Sequence, residues 1–102
     1  MGRDYLDFDA PDESAIRAER SKARALKKTR WWQQKTSSGL CYYCGKNVSY
    51  KKITMDHLVP LARGGRSTKE NLVPSCKACN NLKKSMLPLE WEEYIGKIAE
   101  KK

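Results

Sequence analysis

The segments Cys41-Tyr42-Tyr43-Cys44 and Cys76-Lys77-Ala78-Cys79 each place two cysteines three positions apart, and together they use all four cysteines of the 102-residue chain. Two sulfurs at this spacing reach one ion from a tight turn, and Gly45 lets the backbone approach the sulfur. Four thiolates complete a closed tetrahedral zinc site, whereas disulfides, the alternative, are disfavoured in a cytoplasmic chain. The spacing predicts a zinc ion that stabilises the fold and takes no part in catalysis.

The length and composition predict a single small domain that needs such support. A domain of this size buries only about 65% of its unfolded surface, so its core is modest. Hydrophobic residues make up 39% of the chain and charged residues 32%.

No apolar run approaches the roughly 20 residues of a membrane span. Residues 1–10 carry acids instead of the basic and apolar residues of a signal sequence. We therefore expect a cytoplasmic protein.

The basic residues are concentrated in the middle of the chain. The net charge is +9, and residues 14–86 alone hold 17 of the 21 bases and only three of the 12 acids. A positive field of this length attracts polyanions, which makes nucleic acid the leading partner and an anionic membrane surface a weak second. The alternative is a generic basic protein without a polyanionic partner.

The N-terminal part predicts one long basic helix. Asp9-Ala10-Pro11-Asp12 has the chemistry of a helix start, and nothing breaks a helix from there to about Lys35. Its apolar residues keep to a narrow stripe: Ile16, Ala23, Leu26 and Trp31. We expect this helix to lie against the rest of the protein or along DNA, with Arg24 and Lys28 as candidate contacts; the alternative is a solvated charged face.

Three further features set boundaries and packing. Trp31-Trp32 could stack on bases or pack against the protein, and packing is the commoner role. The loop at residues 36–39 divides the chain into an acidic start with a basic helical arm, residues 1–39, and a core, residues 40–102. Pro88 precedes an amphipathic run that predicts a C-terminal helix docked on the core. The apolar residues of that run are Trp91, Tyr94, Ile95, Ile98 and Ala99.

The only histidine of the chain lies between the two cysteine pairs. Ile53-Thr54-Met55 begins a β-like stretch that continues into Asp56-His57-Leu58-Val59-Pro60. A lone histidine is more often structural than catalytic, but this one adjoins a carboxylate in a basic segment. Alternation along a strand sends Asp56 and His57 to opposite faces, so both reach one phosphate only where the strand bends or ends. Pro60 favours an end there.

The rest of the middle segment completes a recognisable pattern. Arg63-Gly64-Gly65-Arg66 is followed by Glu70-Asn71-Leu72-Val73-Pro74, the second cysteine pair and Asn80-Asn81-Leu82-Lys83-Lys84. From about Leu40 to Leu87 this order resembles the zinc-stabilised branch of the HNH endonucleases, the ββα-metal nucleases. The resemblance implies an α+β fold. Its small ββα-metal core would carry the four-cysteine zinc site between a basic N-terminal helix and an amphipathic C-terminal helix.

The resemblance also implies roles for four residues. His57 corresponds to the general base, Asp56 and Asn80 to ligands of a catalytic divalent ion, and Asn71 to the residue that pins the loop. The motif that gives the family its name has a histidine at its third position. In this chain that position is occupied by Asn80. Oxygen ligands from Asp and Asn favour Mg²⁺ or Mn²⁺ over a tightly held zinc. The implied products are a 5′-phosphate and a 3′-hydroxyl.

Four basic residues near this motif are candidate DNA contacts. Arg63 and Arg66 either hold a phosphate or simply flank a turn. Lys83, at the lysine position of the family motif, and Lys84 stand on the helix beside the metal. We expect both lysines to contact phosphate, the alternative being plain solvent exposure.

The leading prediction is a metal-dependent DNA endonuclease with one active site per chain, monomeric when free, that nicks one strand of duplex DNA. The main alternative is a non-catalytic, zinc-stabilised nucleic-acid binding module in which Asp56 and His57 are structural. A zinc module for protein partners fits poorly with the charge of +9. The set Asp56, His57 and Asn80 favours the nuclease, because a binding module requires no base beside two oxygen ligands.

Overall fold

A computed structural model describes residues 11–49 and 51–100 of the chain. The acidic start predicted before residue 11 lies outside these residues. The helices and strands are α1 (Glu13–Lys27), α2 (Arg30–Lys35), β1 (Thr54–His57), β2 (Leu72–Ser75), α3 (Lys77–Lys83) and α4 (Pro88–Glu100). Two short 3-10 turns, Leu61–Arg63 and Lys69–Asn71, lie between the strands. The predicted α+β class is confirmed.

The N-terminal arm forms two helices, so the prediction of one long helix is wrong. Asp12 starts α1, where its carboxylate accepts from the Ala15 amide at 2.8 Å. The helix ends at Lys27, with Lys28 as its C-cap, and Thr29 begins α2 by accepting from the Trp32 amide. A threonine hydroxyl offers the backbone a capping bond that competes with helix continuation, which explains the break. Trp32 is only 4% exposed, as the packing interpretation expects.

The two strands form one antiparallel pair. Thr54 lies opposite Ser75 and His57 opposite Leu72, so β1 ends at the histidine, as the sequence predicts. Every residue of β2 is buried. Helix α3 follows β2 directly and lies beside β1, where the Asn80 amide nitrogen donates to the Thr54 hydroxyl at 3.0 Å. The strands and α3 therefore form a ββα unit.

The C-terminal helix docks through its first half only. Trp91 is buried in the cluster around the cysteines, and Tyr94 packs against the same cluster. Ile95 and Ile98 are 41% and 38% exposed, and Ala99 is exposed. The predicted helix thus packs on the core through Trp91 and Tyr94, whereas the rest of its apolar stripe is exposed. A 13-residue helix is about 20 Å long, and its second half leaves Ile95 and Ile98 uncovered.

The arm and the core are in direct contact. Ser67, in the loop between the strands, donates two hydrogen bonds to Glu19 of α1. The division into residues 1–39 and 40–102 stays a prediction. None of the described helices combines the length and the apolar character that a membrane crossing demands.

Candidate active site and metal centre

The four cysteines converge on one point. Their Sγ atoms all lie within 4.8 Å of one another, and the Cys44 and Cys76 sulfurs are 3.9 Å apart. Zn–S bonds of about 2.3 Å in a tetrahedron hold the sulfurs about 3.8 Å apart. The Cys41, Cys44 and Cys76 sulfurs each accept a backbone N–H at 3.4 Å, which stabilises thiolate charge. The donor set and its spacing fit zinc.

Tyr43 connects this cluster to the acidic motif. It lies between the first two cysteines, and its hydroxyl donates to Asp56 Oδ2. Its ring packs edge-on against Trp91 with centroids 5.5 Å apart. Burial first, and then the hydrogen bond to Asp56, raises the pKa of Tyr43 far above its usual value. The phenol therefore stays protonated and acts as a fixed donor to the carboxylate.

Lys83 approaches the same carboxylate from α3. Its ammonium lies 3.2 Å from Asp56 Oδ2 and donates to the His57 carbonyl at 3.2 Å. It also lies 5.6 Å from the centre of the Tyr43 ring. The Lys83 side chain has no exposed surface at all. This burial does not fit the phosphate contact expected of Lys83, because an ammonium without accessible surface cannot meet DNA; its role is to neutralise and hold Asp56.

The two predicted metal ligands, Asp56 of β1 and Asn80 of α3, lie at one face of β1. Thr54 and Asp56 point the same way because they are two positions apart, and Asn80 contacts Thr54 while Lys83 contacts Asp56. Among the described residues, both contacts to the Asp56 carboxylate are made to Oδ2, which leaves Oδ1 for an ion.

Hydrogen bonds also determine the orientation of the Asn80 amide. The Thr54 hydroxyl donates its one proton to the Ser75 carbonyl at 2.8 Å. It must therefore accept from Asn80, which places Nδ2 toward Thr54 and leaves Oδ1 as the ligand oxygen. Asp56 and Asn80 each present one such oxygen, a donor set that suits a hard cation.

His57 is the last residue of β1 and is half-buried. Its Nε2 lies 2.9 Å from the Ser67 hydroxyl. Burial lowers the pKa of His57 below its usual 6.5; Asp56 and Glu19 oppose this shift, and the Lys83 charge adds to it. A lowered pKa keeps the imidazole neutral near pH 7, which is the form that accepts a proton.

Asn71 organises the loop between the strands. Its Oδ1 accepts from the Val59 amide at 2.8 Å, and its Nδ2 donates to the Val59 and Arg66 carbonyls at 3.1 and 2.8 Å. All three bonds are to backbone, so this one side chain ties the two ends of the Gly-Gly loop together. The geometry supports the pinning role that the resemblance implies.

The other basic candidates lie at the surface. Arg63 pairs with Glu90 at 3.0 Å and donates to the Ser85 carbonyl, so it connects the loop to the start of α4. Its side chain is still 40% exposed. The remaining candidates are all exposed: Arg24, Lys28, Arg66 and Lys84.

Sequence reasoning missed three residues of the site: Tyr43, Ser67 and Glu19. A signal existed for Tyr43, because the tight turn of the C-x-x-C motif restricts where the residue inside it can point. None existed for the other two. Ser67 and Glu19 are 48 positions apart and belong to no motif.

The comparisons with known proteins agree with the geometry. Residues 41–93, more than half of the chain, match the family model described as HNH endonuclease. The chain is 46% identical over 44 residues to the CRISPR-associated endonuclease Cas9 of Corynebacterium diphtheriae, covering 42% of this chain and 4% of that protein. It is 33% identical over 55 residues to the type IV methyl-directed restriction enzyme EcoKMcrA of Escherichia coli, covering 48% of this chain and 20% of that enzyme. The chain thus spans only a small part of either relative.

Proposed function

Because the chain belongs to the HNH endonuclease family, we propose that it hydrolyses phosphodiester bonds of DNA in a metal-dependent reaction. One observation carries the proposal. Asp56 and Asn80 each leave one oxygen free on the same face of β1, and His57 ends that strand. The family assigns two ligands and a base to these three positions. The two relatives named above are an endonuclease and a restriction enzyme, which supports the same reaction class.

The chemistry follows from the charge of the substrate. A phosphodiester repels hydroxide, and the transition state gathers more charge on the phosphoryl and leaving oxygens. A divalent ion, which we propose is Mg²⁺ or Mn²⁺, would relieve that charge when held by Asp56 and Asn80. His57 takes the proton from the attacking water. The family pattern gives a 5′-phosphate and a 3′-hydroxyl as products.

We propose that the end of β1 directly after His57 lets Asp56 and His57 reach one phosphate. Asp56 and His57 are adjacent, so strand alternation alone would separate their side chains. His57 is the last strand residue, and the Leu58 amide donates to the Asn71 carbonyl at 2.8 Å where the chain leaves the sheet. The Asn71 bonds to Val59 then hold that turn. Asn71 thus acts by fixing the backbone next to His57.

We assign zinc to the cysteine cluster as a structural ion. Four cysteines leave no open position on a tetrahedral ion, so this metal does not bind substrate. Three of the four cysteines are buried within the cluster that also contains Trp91. Tyr43 transmits the geometry of the cluster to Asp56.

The single site sets the expected outcome on a duplex. The two strands are antiparallel, so cutting both at one place requires a second site related by a two-fold axis. We propose a cytoplasmic protein that is monomeric when free and nicks one strand of duplex DNA. We place its DNA contacts on the exposed residues of the arm and the Gly-Gly loop, with Arg24, Lys28, Arg63, Arg66 and Lys84 as the candidates.

The experiment is plasmid cleavage with matched variants. Supercoiled plasmid with Mg²⁺ or Mn²⁺ should convert first to open circles and only later to linear DNA. His57→Ala should abolish cleavage, a loss of about 10² to 10⁴ in rate, while retaining DNA binding and zinc. Lys97→Gln on exposed α4 is the control and should cut normally. Full activity of His57→Ala would exclude His57 as the base, and linear product formed directly would contradict nicking by a monomer.

The non-catalytic nucleic-acid binding module has one observation in its favour, the pairing of Asp56 with the buried Lys83. Buried charges are generally paired or metal-bound, so this pairing alone does not require a catalytic role. Under this alternative the wild-type protein would bind plasmid and leave it supercoiled with either metal ion. The same experiment therefore separates the two functions.

A further inference from the structure

Helix α1 reaches the proposed catalytic base through two residues. Ser67 is buried, at 7% exposure, in the loop between the strands. Its amide donates to Glu19 Oε1 at 2.6 Å, and its hydroxyl donates to the Glu19 carbonyl. The same hydroxyl oxygen lies 2.9 Å from His57 Nε2. Glu19 lies outside the segment that matches the family, so this connection belongs to the arm of this chain.

The number of protons determines the direction of each bond. A serine hydroxyl has one proton, and a backbone carbonyl can only accept. The Ser67 proton is used on the Glu19 carbonyl, so toward His57 the Ser67 oxygen can only accept. His57 Nε2 must then carry a proton. A neutral imidazole has one N–H, which leaves Nδ1 as its acceptor nitrogen.

We propose that Ser67 and Glu19 are positioning residues that hold neutral His57 as its Nε2–H tautomer and leave Nδ1 to take the proton from water. The proposal rests on the proposed function, because it assigns the atom that acts as base. The opposite tautomer would require Ser67 to donate to both His57 and Glu19 with a single proton, so one of the two bonds would break. The hydrogen bond from Ser67 to Glu19 thus selects the tautomer.

The two parts of Glu19 have separate tasks. Its backbone carbonyl takes the hydroxyl proton, while its carboxylate holds the Ser67 amide and is itself paired with Lys22 at 3.2 Å. The carboxylate therefore fixes where Ser67 lies, and the carbonyl fixes which way its hydroxyl points. Gln at position 19 keeps an oxygen for the amide, whereas Ala does not.

The single histidine allows a direct test without any activity measurement. In ¹⁵N-labelled protein, a long-range ¹H–¹⁵N spectrum at a pH where the imidazole is neutral shows which nitrogen is protonated, and only His57 contributes. Wild type and Ser67→Thr should show the Nε2–H form, and Ser67→Ala should shift toward a mixture of both. The neighbouring exposed Thr68→Ala is the control. An Nδ1–H wild type, or equal tautomer populations in wild type and Ser67→Ala, would overturn the proposal.

A kinetic measurement separates this proposal from the proposed function. Ser67→Ala should lower kcat about 10- to 100-fold, the usual effect of losing a group that orients a ligand or base, with KM little changed. Ser67→Thr and Glu19→Gln should restore most of kcat, and Glu19→Ala should not. Normal kcat in Ser67→Ala would overturn the positioning role and leave the nuclease intact. A wild type that shows Nε2–H but cuts no DNA would overturn the nuclease, and with it the use of Nδ1 as base.

Discussion

The two glycines of the Gly-Gly loop meet different constraints. A Cβ on Gly65 would lie 1.7 Å from the Val59 carbonyl oxygen, which is backbone and cannot move aside. Gly64 has open space but a φ of +88°. Gly64→Ala should therefore cost about 1 to 2 kcal/mol, the strain of a left-handed residue. Gly65→Ala should cost more and displace the loop that Asn71 holds. Thermal unfolding of both variants measures this, and equal melting temperatures would contradict the contact.

The environment of His57 sets the pH dependence of cleavage. Burial lowers the pKa of His57 below 6.5, and only the neutral form accepts a proton. Activity should therefore be full above the folded-state pKa and fall as the pH drops through it, with the midpoint below 6.5. Initial nicking rates measured across a range of pH, at saturating metal, show this fall in activity and its midpoint. A midpoint at or above 6.5 would show that burial does not determine the pKa of His57.

The single-residue predictions succeeded where chemistry is local in sequence. The cysteine pairs lie within four positions, and their spacing alone predicts the cluster that the structure forms. Lys83 shows the limit, because a helical lysine is almost always exposed. Its burial depends on Asp56, 27 positions away, whose charge compensates it. Ser67 and Glu19 meet only after the arm has packed on the core, so no spacing rule reveals them.

At the scale of elements, Lys83 provides the ion pair between α3 and β1, beside the hydrogen bond from Asn80 to Thr54. Lys83→Met removes the partner of a carboxylate that is only 12% exposed. Breaking a buried pair in this way costs about 3 to 5 kcal/mol, and the Tyr43 hydroxyl that remains should keep the loss near the lower end. Urea unfolding of the zinc-loaded protein measures it.

The matched control for Lys83→Met is Lys84→Met. Lys84 is the next residue and is exposed, so its replacement should change stability by no more than about 0.5 kcal/mol. The double variant Lys83→Met with Asp56→Asn should recover part of the stability, because no charge is left unpaired. A single Lys83→Met variant as stable as wild type would show that the ion pair does not connect these elements.

Two differences between the sequence pattern and the structure at this scale have physical causes. The arm has helix-forming residues up to residue 35, and helix propensity alone does not show that the Thr29 hydroxyl caps a second helix, in which Trp32 is buried. The C-terminal pattern marks every apolar residue as core-facing. The core covers only the start of α4, so Ile95 and Ile98 keep the periodicity without the burial. Periodicity predicts a face, and the size of the core decides how much of it is covered.

At the scale of the whole molecule, charge should govern DNA binding. Removing one side chain that neutralises a phosphate reduces the slope of log affinity against log salt by about 0.9. The double variant Arg24→Gln with Lys28→Gln should therefore flatten the slope by about 1.8 if both side chains bind phosphate. Lys97→Gln serves as the control for loss of a charge, with an unchanged slope. Fluorescence anisotropy on a short duplex at several salt concentrations gives the slopes, and no change in the double variant would remove the arm from the interface.

Zinc should account for most of the stability of the core. The cysteine cluster joins residues 41–44 to residues 76–79, and three of its cysteines, with Trp91, form the buried cluster against which α4 docks. Since this core has few other large buried side chains among the described residues, removing zinc exposes Trp91 and releases Tyr43 from Asp56. A chelator strong enough to remove the zinc should abolish the cooperative melting transition, because binding free energy here is folding free energy. Circular dichroism and tryptophan fluorescence measure the loss, and re-adding zinc should reverse it.

Treatment with a weaker chelator distinguishes the proposed catalytic ion from the structural zinc. The proposed catalytic ion has only Asp56 and Asn80 as protein ligands, so it should leave at chelator concentrations that spare four thiolates. Cleavage should then stop while the melting curve is unchanged, and added Mg²⁺ or Mn²⁺ should restore it. A protein that keeps its fold after complete zinc removal, verified by metal analysis, would show that packing alone supports the core. In that case Tyr43 would hold Asp56 without help from the metal cluster.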